Sequence, residues 1–207
     1  MPANYNNSAW FYDSLARMVY GRALVNAQVY LLRQIPANSK VLIVGGGTGW
    51  VLEELTRIHP TGLTIVYVEI APKMIALSKK RNIGVNKVAF VNDAIENVAL
   101  DADFDVVLTP FLFDNFTEQT LQNVFANINK LLKADGLWLN ADFQLTGKWW
   151  QWVLLNSMFV FFRLICNIEA SKLPDINGCF DRNGYQLTEQ KNFFGGFISA
   201  CSYRKNT

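Results

Sequence analysis

The chain has 207 residues, 51% of them hydrophobic, and a formal net charge of +2. That length suits one domain with a sizeable core, and a balanced charge without a Lys/Arg block gives nucleic acid no electrostatic footprint to follow. Cys166, Cys179 and Cys201 are far apart and odd in number, and His59 is the only histidine, which argues against a disulfide framework, a zinc site or a His-based triad.

The first residues, MPANYNN, lack the basic start and apolar run of a secretory signal, so a cytoplasmic location is expected. Residues 8–35 read as helix, with apolar residues at Leu15, Val19, Leu24, Ala27, Leu31 and Leu32 and a stop at Pro36. Residues 40–44 are a short apolar strand that runs into Gly45-Gly46-Gly47-Thr48-Gly49. Residues 50–58 are helical and closed by His59-Pro60. Residues 63–69 form a β-rich strand, and Pro72 opens a helix, PKMIALSKKR, at a favoured first-turn position.

Strands follow at 87–92 and 104–109, then an amphipathic helix at 121–133 that stops near Gly136, then a strand at 137–143. This alternation predicts a Rossmann-like α/β fold with a mostly parallel sheet covered on both faces. Residues 185–194 and 197–204 read as two strands joined by Gly195-Gly196, an antiparallel hairpin. The expected organisation is a single domain: a helical lid at 8–36, a cofactor-binding core at 40–143, an aromatic helical insertion at 144–184 and the hairpin at 185–204.

Four glycines in five positions between a strand and a helix suit a nucleotide-like ligand. Glycine allows positive φ and removes the Cβ that would collide with a close ligand, and the following helix start offers free N–H groups. A plain tight turn would not need so many. The spacing is GxGxG, and Trp50 stands where the dinucleotide fingerprint GxGxxG needs its last glycine. Pyrophosphate is therefore not the favoured ligand.

Glu69, at the end of the second strand, can accept from both ribose hydroxyls; the plainer reading is a solvated strand-end acid. Asp93 follows the third strand and can accept from an adenine amino group, with the Ala94 N–H serving a ring nitrogen. Asp93 with Glu96 is also a capping-box spacing.

VLIVGGGTG, VYVEIAPKMI, FVNDA, FDVVLTPFLFDNF and LLKADGLWLNADF resemble the successive motifs of class I S-adenosylmethionine-dependent methyltransferases across residues 40–143. The resemblance implies a seven-stranded sheet with an antiparallel last strand and S-adenosylmethionine as cofactor. It implies cofactor contacts from Gly45, Gly46, Gly47, Gly49, Glu69, Ile70, Asp93, Ala94 and Thr109. The flanking segments look most like the small-molecule branch, including ubiquinone/menaquinone-type enzymes.

One position departs from the pattern. Family members commonly carry an acid two places before the first glycine, where it helps hold the methionine amino group; here it is Ile43. GGGTGWVLEEL and YVEIAPKMIALSKK also resemble the spermidine synthase branch of this fold. That branch carries an Asp motif after the fourth strand, where this chain has Thr109-Pro110-Phe111.

Methyl transfer from a sulfonium asks mainly for proximity and orientation. Asp114, Tyr12 and Asp13 are the candidates for a general base, each with a plainer reading as loop acid, core-edge tyrosine and surface acid. Phe111, Phe113 and Phe116 either line an acceptor pocket or pack under the next helix. Trp10, Phe11, Tyr12 and Tyr20 either cover the cofactor or pack on the sheet edge.

The run WWQWVLLNSMFVFFRLIC, Trp149–Cys166, is interrupted by polar residues and Arg163, which excludes a transmembrane span. It reads as a buried helix, as a lid on an apolar acceptor pocket, or as a surface for a homodimer or membrane contact. The partner expected is thus a small apolar or aromatic acceptor, with no metal. Two rivals remain: a cofactor-binding protein without catalysis, and a nicotinamide-dependent oxidoreductase, which Trp50 opposes.

Overall fold

The structure, a computed structural model, describes residues 19–101, 103–166, 170 and 172–206. In chain order the elements are α1 (Ala23–Leu32), β1 (Lys40–Val44), α2 (Trp50–Ile58), β2 (Thr64–Val68), α3 (Pro72–Ser78), β3 (Lys87–Val91), β4 (Phe104–Pro110), α4 (Glu118–Leu131), β5 (Leu132–Phe143), α5 (Trp149–Cys166), α6 (Ile176–Arg182), β6 (Tyr185–Phe193) and β7 (Ile198–Lys205). The strands form one seven-stranded sheet in the order β3-β2-β1-β4-β5-β7-β6. β1 to β5 pair in parallel, and β7 runs antiparallel to both β5 and β6.

Strand alternation divides the core in two. On one face Val41, Ile43, Ile65, Tyr67, Val106 and Leu108 meet α1, α2 and the inner side of α5. On the other, Leu42, Val44, Val107 and Trp138 meet α4 and α6. Central strands buried on both faces need continuous apolar runs, and KVLIV in β1 and FDVVLTP in β4 supply them. Phe125 stacks on Trp138 with centroids 4.5 Å apart, and Phe180 stacks on Tyr203 at 3.8 Å.

The hairpin forms as the sequence predicts, with Tyr185 opposite Lys205 and Phe193 opposite Ile198 around a turn at Phe194–Gly196. Other boundaries differ. Within the described part of the first helix, Gly21 at φ 58° breaks the run, and α1 starts at Ala23. α3 ends at Ser78, which frees Arg81 to turn back towards the glycine loop. β5 begins at Leu132, directly after α4, because Phe104 of β4 pairs with Leu132 across a bulge. α6 is an element the sequence reading left unnamed; its N-cap is Asp175, whose Oδ1 accepts from the Gly178 N–H at 3.0 Å. Among the described residues, no helix is long and apolar enough to cross a membrane.

Candidate functional site

The order reverses at β1, which has β2 on one side and β4 on the other. Ligands of open α/β sheets bind at such a switch point, beyond the carboxyl ends of the strands. Reading across that edge in spatial order gives Asp93 after β3, Glu69 after β2, the glycine loop after β1, Phe111 after β4 and Phe143 at the end of β5. One half is polar and the other aromatic. From β2 to β5 is three strand spacings, on the order of 14 Å.

The loop is held from below. The Tyr67 hydroxyl donates to the Gly47 carbonyl at 2.9 Å, and its ring lies where a Cβ on Gly46 would come within 2.4 Å. Arg81 donates from Nε to the Thr48 carbonyl at 2.9 Å and from Nη2 to Thr48 Oγ1 at 3.2 Å. A Cβ on Gly49 would sit 2.5 Å from that of Ser78, so this glycine serves the close packing of loop on α3. Gly47 is different. Its φ is 63°, and a Cβ there would meet nothing within 4 Å. Its side of the loop is the open one.

Glu69 borders that opening and is buried. Its Oε2 accepts from the Gly47 N–H at 3.0 Å and its Oε1 from the Ala71 N–H at 2.9 Å. Burial raises its pKa, and the N–H bonds from Ala71, Gly47 and Ile70 oppose the shift. An ionised carboxylate has about four acceptor sites, so bonds to ligand hydroxyls can be added to those it already makes. Asn92 fixes the backbone here, donating from Nδ2 to the carbonyls of Glu69 at 2.8 Å and Ile70 at 3.0 Å. Ile70 is exposed beside Glu69 and offers an apolar surface.

Asp93 is exposed. Its Oδ1 accepts from the Ala94 N–H at 2.7 Å and from Asn97 Nδ2 at 2.9 Å. The capping box with Glu96 does not form, since the Asp93 carboxylate accepts from the Ala94 N–H and the Asn97 amide rather than from the Glu96 N–H. The Ala94 N–H is already engaged by Asp93 in this state and would have to leave it to serve a ring nitrogen.

Thr109 faces inward. It is fully buried, donates to Asn140 Oδ1 at 2.8 Å and accepts from Trp138 Nε1 at 3.1 Å. Its side chain therefore takes no part in the open edge, contrary to the expected cofactor contact. Ile43 is fully buried in the core and brings no charge to the site.

The aromatic half gathers Tyr20, Phe111, Phe143, Trp150, Phe194 and Phe197. Phe143 lies 5.4 Å from both Tyr20 and Phe111 and 5.0 Å from Phe197. Trp150 reaches Phe194 at 5.8 Å. The Tyr20 hydroxyl donates to Met158 Sδ at 3.4 Å, which ties this cluster to α5. Phe111 holds φ 54°, a strained value for an aromatic residue, at the end of β4.

Phe113 goes the other way. It is fully buried among Phe125, Trp138 and Phe180 on the α4 face, where Phe116 also packs against it, so it is core rather than pocket wall. Trp10, Phe11, Tyr12 and Asp13 lie outside the described residues.

Asp114 is not an exposed loop acid. It and Asp142 are buried together. Asp142 accepts from the Phe113 N–H at 3.1 Å and the Phe143 N–H at 3.0 Å. Burial pushes the Asp142 carboxyl up to about 7, and burial with the charge of Asp142 raises Asp114 well above the usual carboxylate range. The bond between the two carboxyls favours the proton on Asp114 with Asp142 as acceptor, and both groups are buried away from the open edge. Among the described residues no cluster of His, Cys, Asp and Glu could hold a metal ion.

Tyr67, Arg81 and Asn92 were missed at the level of sequence. Tyr67 had a signal, because it stands two residues before Glu69 on the same side of one strand. Arg81 and Asn92 act through long-range contacts that carry no local pattern.

A family model described as a methyltransferase domain matches residues 41–136. A malonyl-[acyl-carrier protein] O-methyltransferase of Bacillus anthracis is 32% identical over 143 residues, 67% of this chain and 51% of the relative. An uncharacterised methyltransferase of Synechocystis sp. is 24% identical over 168 residues, 80% of this chain and 74% of the relative. The chain spans about half the length of the Bacillus relatives it matches. Among solved structures, a Burkholderia thailandensis 1,6-didemethyltoxoflavin-N1-methyltransferase with bound S-adenosylhomocysteine superposes with a TM-score of 0.66 at 15% identity, over 95% of this chain and 84% of that one. The glycine loop, the acid-ended second strand and the antiparallel seventh strand agree with these matches: the chain carries a methyltransferase domain over residues 41–136, as its resemblance to the class I S-adenosylmethionine-dependent methyltransferases implies.

Proposed function

We propose that the protein transfers a methyl group from S-adenosylmethionine to a small apolar or aromatic acceptor. The observation that carries this reading is the buried Glu69 carboxylate bonded to the Gly47 N–H beside the one open face of the glycine loop. The residues present fit the cofactor. Glu69 has acceptor capacity for two ribose hydroxyls, Ile70 and Asp93 border an adenine position, and Gly47 leaves room for the methionine half. Ile43 supplies no acid for the amino group.

When bound, the cofactor supplies a sulfonium-activated methyl group, and transfer is an in-line displacement in which the acceptor–carbon bond forms as the carbon–sulfur bond breaks. The residues of this chain then contribute orientation and exclusion of water. Phe111, half-buried at the end of β4 and backed by the buried rings of Tyr20, Phe143 and Phe197, is the aromatic surface left to align a flat acceptor. Acceptors of the quinol type and the malonyl carrier thioester named for the Bacillus relatives are both worth screening.

Thermal unfolding with S-adenosylhomocysteine, S-adenosylmethionine, decarboxylated S-adenosylmethionine and NAD in parallel tests the cofactor. A ligand at about 100 times its Kd stabilises by roughly 2.7 kcal/mol, a shift of several degrees at this size. The first two should shift the midpoint. A shift with the decarboxylated form alone would move the reading to aminopropyl transfer, and a shift with NAD alone would replace it.

A further inference from the structure

The outer face of α5 lies outside the site described above. Its inner residues, Gln151, Leu155 and Phe159, are buried against the body of the protein. Its outer residues Trp149, Trp152, Val153 and Val160 recur at helical spacing, which places them on one face. They are 78%, 62%, 47% and 58% exposed, and Leu145, just before the helix, is 47% exposed. Solvent gives such a face no compensation, and an apolar stripe on a surface helix marks contact with something.

Two further features identify the partner's chemistry. The polar residues on this face turn their groups inward: Asn156 Nδ2 donates to the Trp152 carbonyl at 2.7 Å, and Ser157 Oγ donates to the Val153 carbonyl at 2.9 Å. Both spend hydrogen bonds on their own helix, which lowers the cost of leaving water. On the helix itself the charge is one-sided: over residues 144–168 the only charged side chains are Lys148 and Arg163, one near each end, and the next charge along the chain is Glu169. Both cations are exposed, and 15 residues at about 1.5 Å each separate them by on the order of 22 Å along the axis.

We propose that α5 docks this protein flat on an anionic lipid surface. Trp149 and Trp152 enter the interface at headgroup level, Val153 and Val160 reach the acyl boundary, and Arg163 meets a lipid phosphate, while Lys148, whose Nζ donates to the Gly195 carbonyl at 2.9 Å, adds positive charge at the other end. The helix lies on the bilayer and does not cross it, in keeping with its length and its polar interruptions. This docking stands independently of the cofactor assignment.

Sedimentation of the full chain with vesicles tests it. The vesicles are phosphatidylcholine alone or phosphatidylcholine with phosphatidylglycerol. The protein should partition onto the anionic vesicles and much less onto the neutral ones. Trp149→Gln with Trp152→Gln should reduce partitioning by about tenfold or more, with the melting temperature unchanged because both rings are exposed. Arg163→Gln should weaken binding to anionic vesicles only. Absent partitioning, or equal partitioning of the double variant, overturns the proposal. So does a concentration-dependent dimer, lost in the double variant, without vesicle binding; that result assigns the face to a second copy of the chain.

Discussion

Glu69 and Gly47, 22 residues apart, are joined by a hydrogen bond of 3.0 Å from the loop N–H to the carboxylate. The group read as a ribose acceptor is also the group that shapes the loop. Tyr67 completes the arrangement from the same strand by donating to the Gly47 carbonyl. Both polar main-chain groups of Gly47 are thereby fixed, and only its missing side chain faces open space.

Gly47→Ala separates strain from obstruction. The residue needs φ 63°, which costs an L-residue roughly 1–2 kcal/mol. The folded variant should bind S-adenosylhomocysteine much more weakly, because its methyl group enters the space assigned to the ligand. Calorimetric affinity beside thermal unfolding checks this. A variant that loses stability but keeps its affinity would show that the ligand lies elsewhere.

Asp114 and Asp142 make stability depend on pH. Both carboxyls bind protons more tightly in the folded chain than in the unfolded one. Between the unfolded value near 3.9 and the folded value, the folded state carries more protons, so stability is fullest below pH 4 on this account and falls as pH rises to about 7. Burial of Glu69 adds in the same direction. Asp114→Asn keeps a donor towards Asp142 and removes one titration. Its melting temperature should fall less than that of the parent between pH 5 and 8, and parallel curves would contradict the shared proton.

Phe113 and Phe111 should behave oppositely. Phe113→Ala empties a fully buried site and should cost about 3–5 kcal/mol in denaturant unfolding, with cofactor affinity unchanged in the folded protein. Phe111→Ala should cost less stability and raise the KM for whichever acceptor the screen identifies. Equal effects of the two on KM would return Phe113 to the pocket.

Much of this was readable from local pattern. The alternation of strands and helices, the glycine loop and the terminal hairpin are periodic or turn signals, and β1 and α2 fall where the sequence puts them. What was not readable depends on contacts distant in sequence. Phe111 and Phe113 share strand parity and would face the same side of an ideal strand; the positive φ at Phe111 sends them to opposite faces. Lys133–Gly136 look like a helix end and turn, yet the pairing of Leu132 with Phe104 draws them into β5. Thr109 reads as an exposed strand end until Asn140 and Trp138 enclose it. Asp114 reads as a loop acid until Asp142, 28 residues on, is placed beside it.

The central claim is that Glu69 serves both the loop and the ribose. Calorimetric titration of S-adenosylhomocysteine into the parent and into Glu69→Ala tests it directly. The account predicts one site per chain in the parent and a loss of roughly 1.5–3 kcal/mol in the variant, or about 10- to 150-fold in Kd. Equal affinity in the two proteins, or no binding to the parent, would contradict it.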